Sequence, residues 1–419
     1  MTRCQRLQRK GSALALVMFV MVLLTLTGTA MLDLGFKSRV QSIRTAQGIQ
    51  ARWAADAGLN KAIVEMNTQL KAKTWSDWYT YVGGCTYERL FQSDQSFSYQ
   101  VGEDLNGAYT VTSTGTAVAV SKQVHATMRL KSVFEYAMLT KSLLTLKPNT
   151  IIDGYNSDDA SVTDVDLKVA TIATTDNQIF LAPGVNIDGE VLVGVGGDPA
   201  TVITDQGATT GDRSAMIEEP EFVTITPPTL SSKAPIVIKG TTMTIGPADS
   251  GEYASISIDQ TSVKLPGNVI VVTPGILEVS GGDVVLYLTG NLLVGESCEF
   301  HVEVDSSLTI YTDGDITCRA NSDMGYQGQP QEPEHLKIYG TSNTAQTFDI
   351  KAKGFWSAAI YAPNADVGIK AGGDLYGSIT SNSFDLKSGG NFYYDEALKY
   401  NVTVDDVGVR FEVARWRDE

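Results

Sequence analysis

The first 31 residues constrain this chain more than any other stretch. Arg3, Arg6, Arg9 and Lys10 place four positive charges before Gly11, and the twenty residues from Ser12 to Met31 carry none. At ~1.5 Å per helical residue that run reaches ~30 Å, the thickness of a bilayer's hydrocarbon core. A transmembrane helix over 12–34 is therefore expected. The basic head belongs on the cytoplasmic face by the positive-inside rule, which sends the bulk of the chain to the other side. The alternative is a cleaved secretory signal. Gly28, Thr29 and Ala30 supply small residues near the end of the run, but its length exceeds a signal's apolar region and the A-x-A spacing is missing. Cys4 precedes the run, where a lipoprotein-type anchor cannot use it.

Charge narrows the partners. The whole chain has a formal charge of −16, and the four basic residues of the head bring the part after Gly11 to −20. Such a body repels nucleic acid and anionic lipid. The whole chain's 39 glycines, 8% aromatics and runs of Val, Ile and Thr favour strands over helices. At 419 residues there is room for two domains or more.

Beyond the membrane run, Val40, Ile43, Ala46, Ile49, Trp53, Ala57, Ala62, Ile63, Met66 and Leu70 recur roughly every three or four residues. Arg39, Arg44, Gln47, Arg52 and Lys61 take the other face. An amphipathic helix over 35–72 continues the first without a break, its stripe available to its own domain or to neighbouring subunits. Between Trp75 and Lys131 the period falls to two. Phe97, Tyr99 and Val101, then Tyr109 and Val111 after an Asn106-Gly107 turn, then Val124, Ala126, Met128 and Leu130 mark three antiparallel strands. A small α+β headpiece over 73–132 follows.

From 133 to 419 short β segments alternate with Gly, Pro, Asn and Asp. Phe300, Val302 and Val304 share one face, Leu308 and Ile310 repeat it, and so do Ile316 and Cys318. Gly-Gly followed by Asp or Asn recurs at 196–198, 281–283, 372–374 and 389–391, each a tight corner. Strand, corner and strand with a one-faced core predict a β-solenoid, with a β-sandwich as the alternative. The fold class is mainly β with a long N-terminal helix. Four prolines between Glu218 and Pro235 interrupt the repeats and mark an extended surface crossing.

Few residues promise chemistry. Asp153, Asp158, Asp159, Asp164 and Asp166 form the densest acidic group, too loosely spaced for an EF-hand. Between Phe134 and Gly408 there are only two arginines, Arg213 and Arg319, little to neutralise an acidic sugar. His125 and His301 stand at outward positions on strands and His335 follows Pro333 in a loop. There is no G-x-S-x-G, phosphate loop or Cys/His pair, so no catalytic residue, metal site or cofactor is assigned. Cys85, Cys298 and Cys318 lie in the exported part, where an oxidising compartment permits one disulfide. The pairing is open, with Cys298 and Cys318 as the candidate pair. Tyr155, Tyr253, Tyr326, Phe355, Trp356, Tyr376, Phe392, Tyr393 and Tyr394 could offer a glycan or protein ligand a face, or pack rungs and caps.

Basic residues, Gly11, an uncharged helix and an amphipathic continuation ending in Ala54-Ala55-Asp56-Ala57-Gly58-Leu59 resemble the class III leader and helical spine of type IV prepilins, and in particular the PilX N-terminal family of minor pilins. The match covers about the first 70 residues. The resemblance implies cleavage between Gly11 and Ser12 by a prepilin peptidase. It implies membrane insertion, then burial in a fibre core, of Leu14, Leu16, Val17, Phe19, Val20, Val22, Leu23 and Leu24. It also implies pilin or pseudopilin subunits and an inner-membrane assembly platform as partners. Leu16 departs from the family, where most major pilins carry glutamate. The segments Ala358-Ala359-Ile360-Tyr361-Ala362-Pro363-Asn364-Ala365, Gly377-Ser378-Ile379 and Tyr394-Asp395-Glu396-Ala397-Leu398 resemble a β-solenoid domain often joined to such N-termini. A minor pilin or pseudopilin at the tip or in an initiating complex is the expected role. A pilin-anchored adhesin and a β-helical carbohydrate enzyme are the competing ones.

Overall fold

In the computed structural model the described residues are 12–72, 85–91, 93–103, 109–159, 161–162, 165–328, 331–370, 373–387, 390–400, 402 and 406–418. They are mainly β with one long N-terminal helix. The chain divides into two compact units: residues 1–129 with 411–419, and residues 130–410.

In the first unit α1 (Ser12–Ala72) is unbroken. Strands β1 (Cys85–Arg89), β2 (Gln95–Glu103), β3 (Tyr109–Ala117) and β4 (Val120–Lys131) form an antiparallel meander. Alternation decides their inner face, since Phe97, Tyr99, Tyr109, Val111, Val124, Ala126 and Met128 are buried while Val101 and Leu130 are only half covered. The Asn106-Gly107 turn lies outside the described residues.

A fifth strand, Arg410–Asp418, lies beside β4. This corrects the expected boundary, because the last residues of the 133–419 solenoid belong to the headpiece. The Phe411 N–H donates to Asn67 Oδ1 at 2.7 Å, and its ring meets Tyr109 edge-on with centroids 5.1 Å apart. The free edge of β4 and an apolar socket on the meander's inner face thus claim a segment the repeat pattern had assigned elsewhere.

The second unit is a coil whose strands pair in parallel from one turn to the next, as a β-solenoid's rungs do, and not the facing sheets of a sandwich. One inward position shows the stacking. Leu286, Ile310, Ile338, Ile360, Ile379, Met138, Val169 and Val191 are register partners in succession, all buried. The order along this ladder is not the order along the chain. The rungs of residues 138–215 stack on the rung of 375–395, the last in the sequence. The chain then returns to the opposite end and starts again at Ser232–Lys233, beside Gly251–Tyr253.

The proline segment makes that return. Ile225 is buried against Phe134, Tyr311, Tyr339, Tyr361 and Ala359, and Phe222 packs on Leu139, Ala170, Leu192 and Met216. The Tyr361 hydroxyl donates to the Val223 carbonyl at 3.0 Å. The expected crossing is therefore a strap fastened along the outside of the rungs. Two residues of one segment read as a family signature have physical work in this closure. Tyr394 Oη donates to the Phe134 carbonyl at 2.9 Å, and the buried Asp395 carboxylate accepts from Ser157 N–H and Oγ–H and from Ala397 N–H. The bonds to Phe134 and Ser157 tie the last rung to the beginning of the coil.

Corners follow the Gly-Gly-Asp reading where they are described. Gly196 has φ +78° and Asp198 caps the short helix Pro199–Val202, while Gly281 (φ +83°) and Gly282 (φ +129°) turn the chain into Asp283. Gly372 and Gly389 lie outside the described residues. Val304 is corrected. It is 56% exposed because its strand stops at Val302 and Asp305, at φ +60°, turns the backbone away.

Candidate membrane and subunit-packing surface

Among the described residues one helix, α1, is long and apolar enough to cross a membrane; its most apolar eighteen-residue window has a mean hydropathy of 2.3 and none of that window is buried. Leu14, Leu16, Val17, Phe19, Val20, Val22, Leu23 and Leu24 are all exposed, Phe19 to 67%. The threonine hydroxyls of the run are satisfied within the helix. The hydroxyls of Thr25, Thr27 and Thr29 donate to the carbonyls of Met21, Leu23 and Thr25 at 2.9–3.0 Å, so none needs water in a lipid core. The run ends where Asp33 and Lys37 pair at 2.7 Å, one helical turn apart. Gly11 is outside the described residues, and Ser12 is the first residue of the helix.

The second half of α1 faces two ways. Ala51, Ala54, Ala55, Leu59, Ala62, Met66 and Leu70 are buried on the meander. The seam is built from small residues. A Cβ on Gly115 of β3 would stand 2.0 Å from the Ala51 carbonyl oxygen and 2.2 Å from the Ala55 nitrogen, and one on Gly58 would stand 2.4 Å from Ser113 Oγ. Helix backbone and strand backbone meet with no side chain between them. At its edge Lys61 bonds Glu88, and Tyr99 donates its hydroxyl to Glu65, which with burial pushes the Tyr99 pKa up.

The single stripe expected on this helix is two stripes. Ala62, Met66 and Leu70 face the sheet, whereas Ala46, Ile49 and Trp53, with Ala57 half covered, lie on the opposite side, and Trp53 is 64% exposed. Val64, also exposed, extends this outer row at the 3–4 spacing. Ile43 is exposed too. The signal that separates the rows was present in the sequence: Ala51, Ala54, Ala55 and Gly58 form a small-residue row that the eye passes over because it is not large and apolar.

The remaining candidates are not brought together. Cys298 and Cys318 are both buried free thiols and form no disulfide. Register keeps them apart, since Cys318 pairs with Val294 and Ile350, while the next residue after Cys298, Glu299, pairs with Asp323. Burial pushes the Cys318 thiol up to about 12. His125 bonds Thr112, His301 lies 3.6 Å from Glu299, and His335 pairs with Glu332 at 3.1 Å. Arg213 is bound to Asp205 at 2.9 Å. Arg319 is exposed.

Of the acidic group, Asp164 is outside the described residues, Asp159 accepts from Ser161, and Asp158 is exposed. Asp153 and Asp166 line a cleft of about 460 Å³ with Asp188, Glu190 and Asp212. Burial would raise the Asp166 pKa, but hydrogen bonds from Lys168 and Lys399 outweigh it and hold the carboxyl below its usual range. That is the wrong direction for a general acid. Among the aromatics Tyr253, Tyr326, Trp356, Phe392 and Tyr394 are buried, and Tyr155, Tyr376 and Tyr393 pack on one another at 5.2–5.8 Å, so these rings serve the rungs. The side chain of Phe355 is outside the described residues.

The family model of a domain of unknown function (DUF7305) matches residues 267–401, within the coil. No curated protein matches the chain. Among solved structures, the competence-associated pilin ComZ from Thermus thermophilus aligns over 89% of this chain and 97% of that chain, at 14% identity and a TM-score of 0.24. A likeness at that level transfers no residue role, and the reading of the surface rests on its own geometry.

Proposed function

We propose that the chain is a pilin-like structural subunit, a minor pilin or pseudopilin, whose α1 is held first in the cytoplasmic membrane and then among the helices of a filament. The observation that supports this reading is the division of α1: an entirely uncovered apolar first half, then a second half glued to its headpiece by small residues while Ile49, Trp53 and Val64 stay uncovered on the far side. Lipid can cover the first half. Only other helices suit the outer row, because it is narrow, follows the 3–4 spacing and continues past Lys37 into a charged stretch. Prepilin peptidase, other pilin or pseudopilin subunits and the inner-membrane assembly platform are the partners of this reading, with the coil displayed outside the membrane.

Leu16 refines the position. A glutamate at that site in related pilins is thought to pair with a neighbour's terminal ammonium, since an uncompensated charge in an apolar core is costly. Leu16 cannot do so, and Asp33, ~25 Å further along the helix, is a poor substitute. A few copies at the tip or in an initiating complex, as for the K-type pseudopilins that lack the same glutamate, follow from this. N-terminal sequencing of the membrane-extracted protein tests the reading: a mature chain starting at Ser12, with the leader retained in Gly11→Glu, is expected. A terminus near Ala30 sinks it.

A further inference from the structure

One feature of the coil has no place in stacking rungs. Between two successive strands of the coil, Ile256–Asp259 and Ile276–Val279, the chain leaves the coil as an antiparallel hairpin, Thr261–Lys264 paired with Ile270–Thr273. All eight strand residues are exposed. Val263, Leu265, Val269, Ile270, Val271 and Val272 are 44–63% exposed, although four of them run consecutively. An isolated two-stranded hairpin is marginal in water, and exposed apolar residues make it more so.

The arrangement of polarity identifies what covers it. Residues opposite one another share a face, so Thr261, Thr273, Val263, Val271, Leu265 and Val269 lie on one side and Ser262, Val272, Lys264 and Ile270 on the other. Both sides carry apolar residues, Val263, Val271, Leu265 and Val269 on the first and Ile270 and Val272 on the second, while the hydroxyls of Thr261, Thr273 and Ser262 stand toward the base and Lys264 is the one charge. The apolar residues are therefore not confined to one side. A docking face for protein would segregate its apolar residues to one side. Each side also has a footprint of only about 13 by 10 Å from strand rise and spacing, against the ~800 Å² per partner of a stable interface, so pairing with a second copy is too small to hold.

A lipid interface covers both faces and the tip together. The tip is preorganised for entry: Pro266 leads into Gly267 (φ +88°) and Asn268 (φ +63°), and the Leu265 N–H donates to the Val269 carbonyl at 2.7 Å. Lys264 is the only charged residue from Thr261 to Gly275 and is long enough to reach a headgroup. We propose that the hairpin of residues 261–273 is a lipid-inserting wedge, entering the headgroup and upper acyl region of a zwitterionic bilayer with the 266–268 turn foremost and Leu265, Val269 and Ile270 directly behind it. The reach of ~13 Å suits the ~5–10 Å depth of interfacial insertion. Zwitterionic lipid is specified because a body of charge −20 is repelled by an anionic surface. The proposal is independent of the pilin reading.

The test uses the full chain with Cys4→Ser and Cys85→Ser, leaving the buried Cys298 and Cys318 unlabelled, and one new thiol carrying an environment-sensitive fluorophore. Val271→Cys reports the hairpin, and Val237→Cys, an exposed site on a rung, is the reference. The protein is held in phosphatidylcholine and phosphatidylethanolamine nanodiscs, and acyl-brominated lipid is supplied either there or in separate vesicles of the same composition. The Val271→Cys label should shift to the blue and lose most of its emission in at least one arm while the reference keeps its own. Adding Leu265→Asp should abolish the quenching with the circular dichroism unchanged. If the hairpin label is quenched no more than the reference in both arms, or is shielded only as protein concentration rises, the proposal is overturned; the second result assigns the hairpin to protein contact.

Discussion

The first half of α1 and the coil's inner ladder are equally apolar in sequence and opposite in structure. In the helix, Leu14 to Leu24 stand uncovered; in the coil, Leu286, Ile310, Ile338 and Ile360 are sealed by the rungs above and below. The difference lies in periodicity, not hydrophobicity. An apolar residue at every second position of repeated short strands meets its equivalent on the next rung, so the chain supplies its own partner. Apolar residues all round a helix find no partner within the chain, and lipid or other helices must supply one. Two residues of the same type break this comparison most directly. Phe300→Ala, inside the coil, should cost about 3–5 kcal/mol of unfolding free energy. Phe19→Ala should leave denaturant unfolding of the rest of the chain unchanged, because the ring touches nothing that unfolds. Equal losses would mean that α1 is buried in the folded protein after all.

How much of this was legible depended on how local the determinant was. The membrane run, the meander and the one-faced strands rest on patterns a few residues long, and Val111, Ile310 and Cys318 point inward as their parity requires. The coil's starting point was not legible. That Met138 stacks on Ile379 is a contact across 241 residues, and Ile379, Tyr394 and Asp395, read as signature residues without a role, mark the closure. The fate of Arg410–Asp418 was hidden for the same reason: alternation names a strand and not the sheet it joins. On the candidate surface, the large residues of α1 drew the stripe through Trp53, whereas close approach selects small ones. Size is what periodicity arguments ignore when they count Ala and Gly as weakly apolar.

A smaller effect isolates that seam. The coil is held by volume filled between rungs, the seam by volume withheld between Gly115 and the backbone of Ala51 and Ala55. Gly115→Leu should therefore destabilise the headpiece by about 2 kcal/mol or more through overpacking, whereas adding bulk at Trp53's exposed outer row, as in Ala46→Leu, should not. Proteolysis between the meander strands, compared for the two variants, reads the difference. If both resist equally, the helix sits further from the sheet than the structure places it.

The smallest effect concerns charge at the join between the early and late rungs. Asp166 accepts from Lys399 at 3.0 Å across 233 residues, and Lys399 is only 7% exposed while Asp166 is half open. Burial would lower the Lys399 pKa, but the hydrogen bond from its ammonium to Asp166 outweighs it and raises it, as the same bond depresses Asp166. A carboxyl depressed on folding adds stability above its unfolded value of ~3.9, and that stability drains away as pH falls through the lower folded value. Asp166→Asn should cost about 1 kcal/mol at pH 7, the upper range for an exposed partner, and progressively less as pH drops below 4. Urea midpoints of both proteins at pH 7 and pH 3 measure it. A gap that persists undiminished at pH 3 would show that Asp166 holds the rungs by shape, as Met138 and Ile379 do, and that the closure of the coil owes nothing to charge.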